Sequence, residues 1–136
     1  MAESAKGKKK KILVADDDPG VCQIVKMMLT RQGLDVAIAR DGEEAFQKAV
    51  TEKPDAILLD IKMPKMDGLA VCSKLKATQQ TAQIPVAFLT AQKDVDSFKQ
   101  ALELGGLLYI LKPFKPDKVI STVSVLLSAG GRTATR

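Results

Sequence analysis

The sequence predicts an α/β fold: a three-layer sandwich built from five strand–helix repeats. Three observations predict it. Short apolar runs alternate with segments of helical periodicity five times along the 136 residues. Four of those runs are almost continuously apolar, which is the pattern of parallel strands covered on both faces. Each of the same four runs stops at a charged or hydroxyl residue. Right-handed crossovers then place helices on both sides of a parallel sheet.

The elements follow in order. Residues 12–15 form the first apolar run, which ends in Asp16-Asp17-Asp18-Pro19. Asp18 can cap a helix whose first position is Pro19. Val21, Ile24, Val25, Met28 and Leu29 recur at helical spacing, and Gly33 stops the helix. Residues 34–39 alternate apolar and polar and read as a second strand. Asp41 and Glu44 stand three apart, a capping-box-like start, and Pro54 ends the helix that follows. Residues 56–59 are the third strand, stopping at Asp60. A loop with Pro64 and Gly68 leads to a helix carrying Leu69, Cys72 and Leu75. Residues 84–89 are the fourth strand, ending at Thr90. Val95, Phe98, Ala101 and Leu102 mark a fourth helix closed by Gly105. Residues 107–111 are the fifth strand, ending at Lys112-Pro113. Pro116 opens a last helix with Val119, Val123, Leu126 and Leu127, which Gly130-Gly131 is expected to end. The expected organisation is a basic tail over 1–10, one domain over 11–129 and a second tail over 130–136.

Composition narrows the chemistry. The chain has no histidine, which excludes phosphohistidine carriers, His-dependent triads and most zinc sites. It has no tryptophan and little aromatic content, so base-stacking platforms are not expected. Cys22 and Cys72 fall in helical apolar patterns and read as small buried residues. No apolar run approaches the roughly 20 residues that span a bilayer, and the Lys-rich start has no apolar stretch of a signal peptide behind it. A cytoplasmic protein without a membrane partner is expected. The net charge of +5 is concentrated in Lys6, Lys8, Lys9, Lys10, Lys11, Arg132 and Arg136, counted as tails. The rest of the chain is near neutral, and direct nucleic-acid binding is not expected.

In an open parallel sheet, ligands bind beyond the carboxyl ends of the strands. Asp16 and Asp17, Asp60, Thr90 and Lys112 all stand at that end. Three clustered carboxylates repel one another by roughly 1–4 kcal/mol per pair at high effective dielectric. Lys112 offsets one charge, and the remainder calls for a hard divalent cation with oxygen ligands. Mg²⁺, or Mn²⁺ in its place, fits. An aspartate beside it can serve as the nucleophile in phosphoryl transfer.

These residues sit in motifs: Ile-Leu-Val-Ala-Asp16-Asp17-Asp18-Pro19, Ile-Leu-Leu-Asp60-Ile-Lys-Met-Pro64-Lys-Met-Asp67-Gly68, Phe-Leu-Thr90-Ala91 and Lys112-Pro113-Phe114. In these the sequence resembles the receiver domains of bacterial two-component response regulators, over about residues 10–129. The single-domain, chemotaxis-regulator-like members are the nearest type. The resemblance implies a flavodoxin-like sheet of order 2-1-3-4-5 and a cis Lys112-Pro113 bond. It implies that Asp60 accepts a phosphoryl group from a sensor histidine kinase or phosphotransfer protein. Asp17, Asp60 and the Lys62 backbone carbonyl would bind Mg²⁺, with Asp16 acting through a water. Lys112 would pair with phosphoryl oxygens, and Thr90 and Tyr109 would move as the switch. Lys62 and Gln92 would overlook the phosphoryl group, and a long Lys62 side chain is expected to prolong its lifetime.

The expected output is a switched face made by the fourth helix, the fifth strand and the last helix, which binds an unidentified downstream protein or relays phosphate. Regulators that dimerise through that face typically carry an acid in place of Leu108, and its absence argues against that dimer. The pair Leu107-Leu108 reads as core, with a partner-facing patch as the alternative. No effector is expected after the last helix, so the first reading is a stand-alone switch. The alternative is a receiver fragment of a longer DNA-binding transcriptional regulator. A phosphatase or phosphotransferase of related architecture would need a second acid two residues after Asp60. Lys62 stands there, so a turnover enzyme is not expected.

Overall fold

The computed structural model describes residues 9–91 and 108–134, with side chains to residue 129. The elements are β1 (Lys11–Ala15), α1 (Pro19–Arg31), β2 (Asp35–Ala39), α2 (Gly42–Glu52), β3 (Ala56–Asp60), α3 (Gly68–Lys76), β4 (Val86–Ala91), β5 (Leu108–Lys112) and α4 (Pro116–Ala134). The fourth helix expected from sequence, with Gln92 and Leu107, lies outside the described residues.

All neighbouring strands are parallel, in the order β2-β1-β3-β4-β5. Alternate residues of each strand serve opposite faces. Leu13, Ile57, Leu59 and Phe88 pack with Ala45 and Ala49 of α2 and with Val71 and Leu75 of α3. Ile12, Val14, Leu58, Leu89 and Ile110 pack with Val25 and Leu29 of α1 and with Val119, Val123 and Leu126 of α4. A fully buried Leu, Ile, Val or Phe contributes about 1.5–3 kcal/mol. A one-residue slip of β3, buried along its whole length, would exchange its two faces and lose that fit. Cys22 and Cys72 are buried free thiols, as their spacing predicts.

Caps fix where the helices start. Asp18 accepts from the Gly20 amide at 2.8 Å, with Pro19 in the first turn. Asp41 accepts from the Glu44 amide, and Glu44 reaches back to the Arg40 amide, both at 2.8 Å. Asp67 accepts from the Ala70 amide at 2.8 Å and starts α3. Such caps contribute about 0.5–2 kcal/mol each. At the other end of α2, Lys53 takes the left-handed conformation at φ 49° before Pro54.

Several boundaries depart from the sequence expectation. Lys11, one residue before the expected start of the first strand, opens β1; its ammonium bonds Glu52 and its amide donates to Asp55, both at 2.8 Å. The fourth strand begins at Val86 rather than residue 84: Pro85 has no amide to give a ladder, and the Ile84 carbonyl is taken by Lys76. Its ammonium donates to the Ala82 and Ile84 carbonyls at 3.2 and 2.8 Å. The fifth strand runs one residue further than expected, to Lys112. The last helix continues through Gly130-Gly131 to Ala134. Glycine costs about 1 kcal/mol in a helix, but it ends one only where the chain turns left-handed.

β2 lies at a sheet edge, and its carbonyls are partly guarded: Lys48 of α2 donates to the Ile38 carbonyl at 2.5 Å. Among the described residues, no helix is long and apolar enough to cross a membrane.

Candidate functional site

Strand register decides which side chains meet. Ala15 of β1 stands level with Leu59 of β3, and Asp60 with Leu89 of β4. Thr90 pairs with Leu111, and Ala91 with Lys112. The strands therefore deliver Asp16, Asp60, Thr90 and Lys112 to one rim within a residue or two of each other.

The carboxylates of Asp16, Asp17 and Asp60 each offer an oxygen within 4.8 Å of the others. Asp16 is fully buried, Asp60 nearly so, and Asp17 is exposed. Lys112 places its ammonium 2.8 Å from Asp16 Oδ2 and 3.5 Å from Asp60 Oδ2. The Asp18 amide donates to Asp16 Oδ1 at 2.9 Å. Both oxygens of Asp16 thus have protein partners. The Lys62 amide donates to Asp60 Oδ1 at 3.3 Å, while the Lys62 residue itself is exposed. The buried Thr90 hydroxyl donates to the Ala91 carbonyl at 3.2 Å. Lys112-Pro113 is cis. Tyr109 and Leu108 are half-buried against the two core clusters. Gln92 lies outside the described residues.

Electrostatics mark Asp60 as the unsettled group. Burial, and then the charge of Asp16, push its carboxyl up to about 7; Lys112 and the Lys62 amide pull the other way without prevailing. Burial alone would lower the Lys112 pKa, but its bond to Asp16 and the Asp60 charge outweigh that, and the net shift is upward. One ammonium does not balance three carboxylates. An all-oxygen donor set with leftover negative charge fits a hard divalent cation.

Two contacts were not legible in the sequence. The Cys22 thiol donates to the Asp16 carbonyl at 3.2 Å, and Arg40 Nη2 donates to the Asp17 carbonyl at 3.2 Å. Cys22 lies four residues after the capping Asp18, a spacing that could have placed it under the loop. Arg40 could be found only from the register of β2 on β1, which ends with Ala39 beside Ala15.

A parallel sheet of this order, with a lysine-bound acid cluster outside its carboxyl ends, defines a doubly wound α/β domain whose rim offers an oxygen donor set beside an ammonium group. The family described as the response regulator receiver domain matches residues 12–124. The chain is 45% identical over 118 residues to the alkaline phosphatase synthesis transcriptional regulatory protein PhoP of Bacillus subtilis, covering 87% of this chain and 48% of that protein. It is 40% identical over 125 residues to the transcriptional regulatory protein PrrA of Mycobacterium tuberculosis, covering 92% and 53%. Its fold superimposes on the chemotaxis protein CheY4 of Vibrio cholerae with a TM-score of 0.83 at 28% identity, covering 88% of this chain and 100% of that one. The chain belongs to the response regulator receiver domain family, the phosphoacceptor modules of two-component signal transduction. It spans about half the length of the curated relatives it matches.

Proposed function

We propose that this domain is a cytoplasmic, aspartate-based phosphorylation switch in which Asp60 accepts a phosphoryl group from the phosphohistidine of a sensor kinase or phosphotransfer protein. The observation that carries the reading is the convergence of Asp16, Asp17, Asp60 and Lys112 from three separate strand ends. Asp60 Oδ attacks phosphorus, the P–N bond breaks, and its electron pair leaves with the imidazole nitrogen. Asp60 must be ionised to attack, and Lys112 favours that form. As the phosphoryl group arrives, Lys112 is placed to exchange its longer contact with Asp60 for a phosphoryl oxygen. Thr90 would trade the Ala91 carbonyl for another, and Tyr109, opposite Phe88 on β4, would follow inward. Asp17, Asp60 and the Lys62 backbone carbonyl would hold Mg²⁺ or Mn²⁺. Asp16, whose oxygens are already engaged, would act through a water. That cation, when bound, supplies positive charge that keeps Asp60 ionised and offsets the phosphoryl oxygens. The result biases a pre-existing two-state equilibrium of the β5 and α4 face toward partner binding or onward relay. It is not a turnover reaction on external substrates.

Incubation with acetyl phosphate and Mg²⁺, read on a phosphate-affinity gel, tests this. The parent is expected to shift and Asp60→Asn is not; an unshifted parent overturns the reading. Faster decay of the phosphoprotein in Lys62→Ala would support shielding by that side chain, and unchanged decay would remove it. The names and lengths of the curated relatives favour a second reading of the output. In it, this receiver portion controls a DNA-binding segment of a longer transcriptional regulator. The mass of the natural protein from its own cells separates the two.

A further inference from the structure

The two exposed and buried members of the acid pair are held differently. Asp16 is fixed through its own carboxylate, by Lys112 and the Asp18 amide. Asp17 is exposed, and what the structure fixes is the peptide unit that follows it. The oxygen of the 17–18 peptide accepts from Arg40 Nη2 at 3.2 Å, and the N–H of the same peptide donates to Asp16 Oδ1 at 2.9 Å. A planar amide held at both ends leaves little freedom about the Asp17 Cα–C bond. Arg40 is itself anchored. Its amide bonds Glu44 at 2.8 Å, and the preceding Ala39 carbonyl accepts from the Asp16 amide at 3.1 Å. The end of β2 thus grips the acid pair by two consecutive residues, one through its backbone and one through its guanidinium.

We infer that Arg40 is a positioning residue for the cation site: by clamping the peptide after Asp17, it holds the exposed Asp17 carboxylate toward Asp60 in readiness for a divalent ion. This rests on the proposed metal-binding role of Asp17 and Asp60, and deepens it. Two effects of Arg40 on a cation oppose each other. The clamp favours binding, because Asp17 need not be ordered when the ion arrives. The guanidinium charge disfavours it by repulsion. Arg40 is exposed, so water and salt weaken the repulsion, while the hydrogen-bonded geometry persists. The clamp therefore decides the sign. Partners standing behind metal ligands typically matter by 10–100-fold in affinity, and an exposed one belongs at or below the low end of that range.

The test titrates the purified protein with Mn²⁺ alone, reading free ion by its electron paramagnetic resonance signal. Arg40→Met, which keeps bulk and removes donor and charge, is expected to weaken Mn²⁺ binding about 3- to 10-fold. Arg40→Lys is expected to recover part of the loss. The urea midpoint of the metal-free protein is expected to stay at the parent value in both, which a merely structural role would not allow. Unchanged or tighter Mn²⁺ binding by Arg40→Met would falsify the inference, as would a loss of affinity that only tracks a lowered metal-free midpoint. Asp17→Asn separates this failure from that of the underlying reading. If the parent binds Mn²⁺ and Asp17→Asn binds it equally well, the site itself has been misplaced and the inference falls with it.

Discussion

At the scale of single residues, Asp60 carries the tension of the site. An aspartate ordinarily titrates near 3.8, and burial beside Asp16 raises this one to about 7. The folded state therefore keeps a proton that the unfolded chain releases. Below pH 4 both states are protonated and nothing is at stake. As pH rises through 4 to 7 the unfolded state ionises first, and folding loses stability, on the order of 2–4 kcal/mol when complete. The loss should appear in chelator-treated protein as a fall in urea-unfolding free energy between pH 5 and pH 8. The chain has no histidine to confuse that window. Asp60→Asn should flatten the fall, and Mg²⁺ should stabilise the parent more at pH 8 than at pH 5. A parent whose stability is level across the window would show that the carboxyl is not strained by its neighbours. The identity of Asp60 was legible from its place after an apolar run. Its displaced titration was not, because that depends on how deeply β3 is buried and on the carboxylate delivered beside it by β1.

At the scale of elements, the approach of α3 to β3 is a close constraint at the site. A Cβ at Gly68 would lie 2.2 Å from the Asp60 carbonyl oxygen and 2.9 Å from the Ile61 Cα. Both are backbone atoms, so no side chain can turn aside. The Gly68 amide also donates to the Ile61 carbonyl at 2.8 Å. Gly68→Ala must push the start of α3 off the end of β3. It should cost about 1–3 kcal/mol in urea unfolding and slow phosphorylation of Asp60 by acetyl phosphate. Gly33→Ala, at φ +84° with open space around it, should cost stability without slowing the reaction. Equal rates in the two variants would deny the coupling of α3 to the site. The loop with Gly68 was visible in the sequence, and so was each strand. The closeness of contact was not, since a glycine in a loop reads the same whether it serves a turn or a collision. Helix ends were less legible than helix starts. Asp18 and Asp41 announce caps chemically, whereas Gly130-Gly131 only permits a stop and the helix runs on.

At the scale of the whole molecule, the fold class and the gathering of polar ends were readable from alternation and apolar continuity. The strand order was not contained in those patterns; it came with the resemblance and agrees with the observed β2-β1-β3-β4-β5. The same order leaves β5 on one margin, with Tyr109 on the strand whose next polar residue is Lys112. Tyr109 is the single tyrosine of a chain with no tryptophan, so its emission reports one place. Beryllofluoride with Mg²⁺ should change that emission in the parent and leave Asp60→Asn unaltered. A silent parent, with the mimic shown to bind, would mean that the rim and the β5 margin do not communicate.

The opposite margin, β2, has another consequence. A strand at the border of a sheet offers bare amides and carbonyls to any extended chain that passes, and lengthwise stacking of copies begins there. The Lys48 ammonium seated on the Ile38 carbonyl means that a newcomer must first dislodge a positive charge, and a second copy would bring one of its own. The border is thereby guarded at this carbonyl by a residue that stands outside the acid cluster.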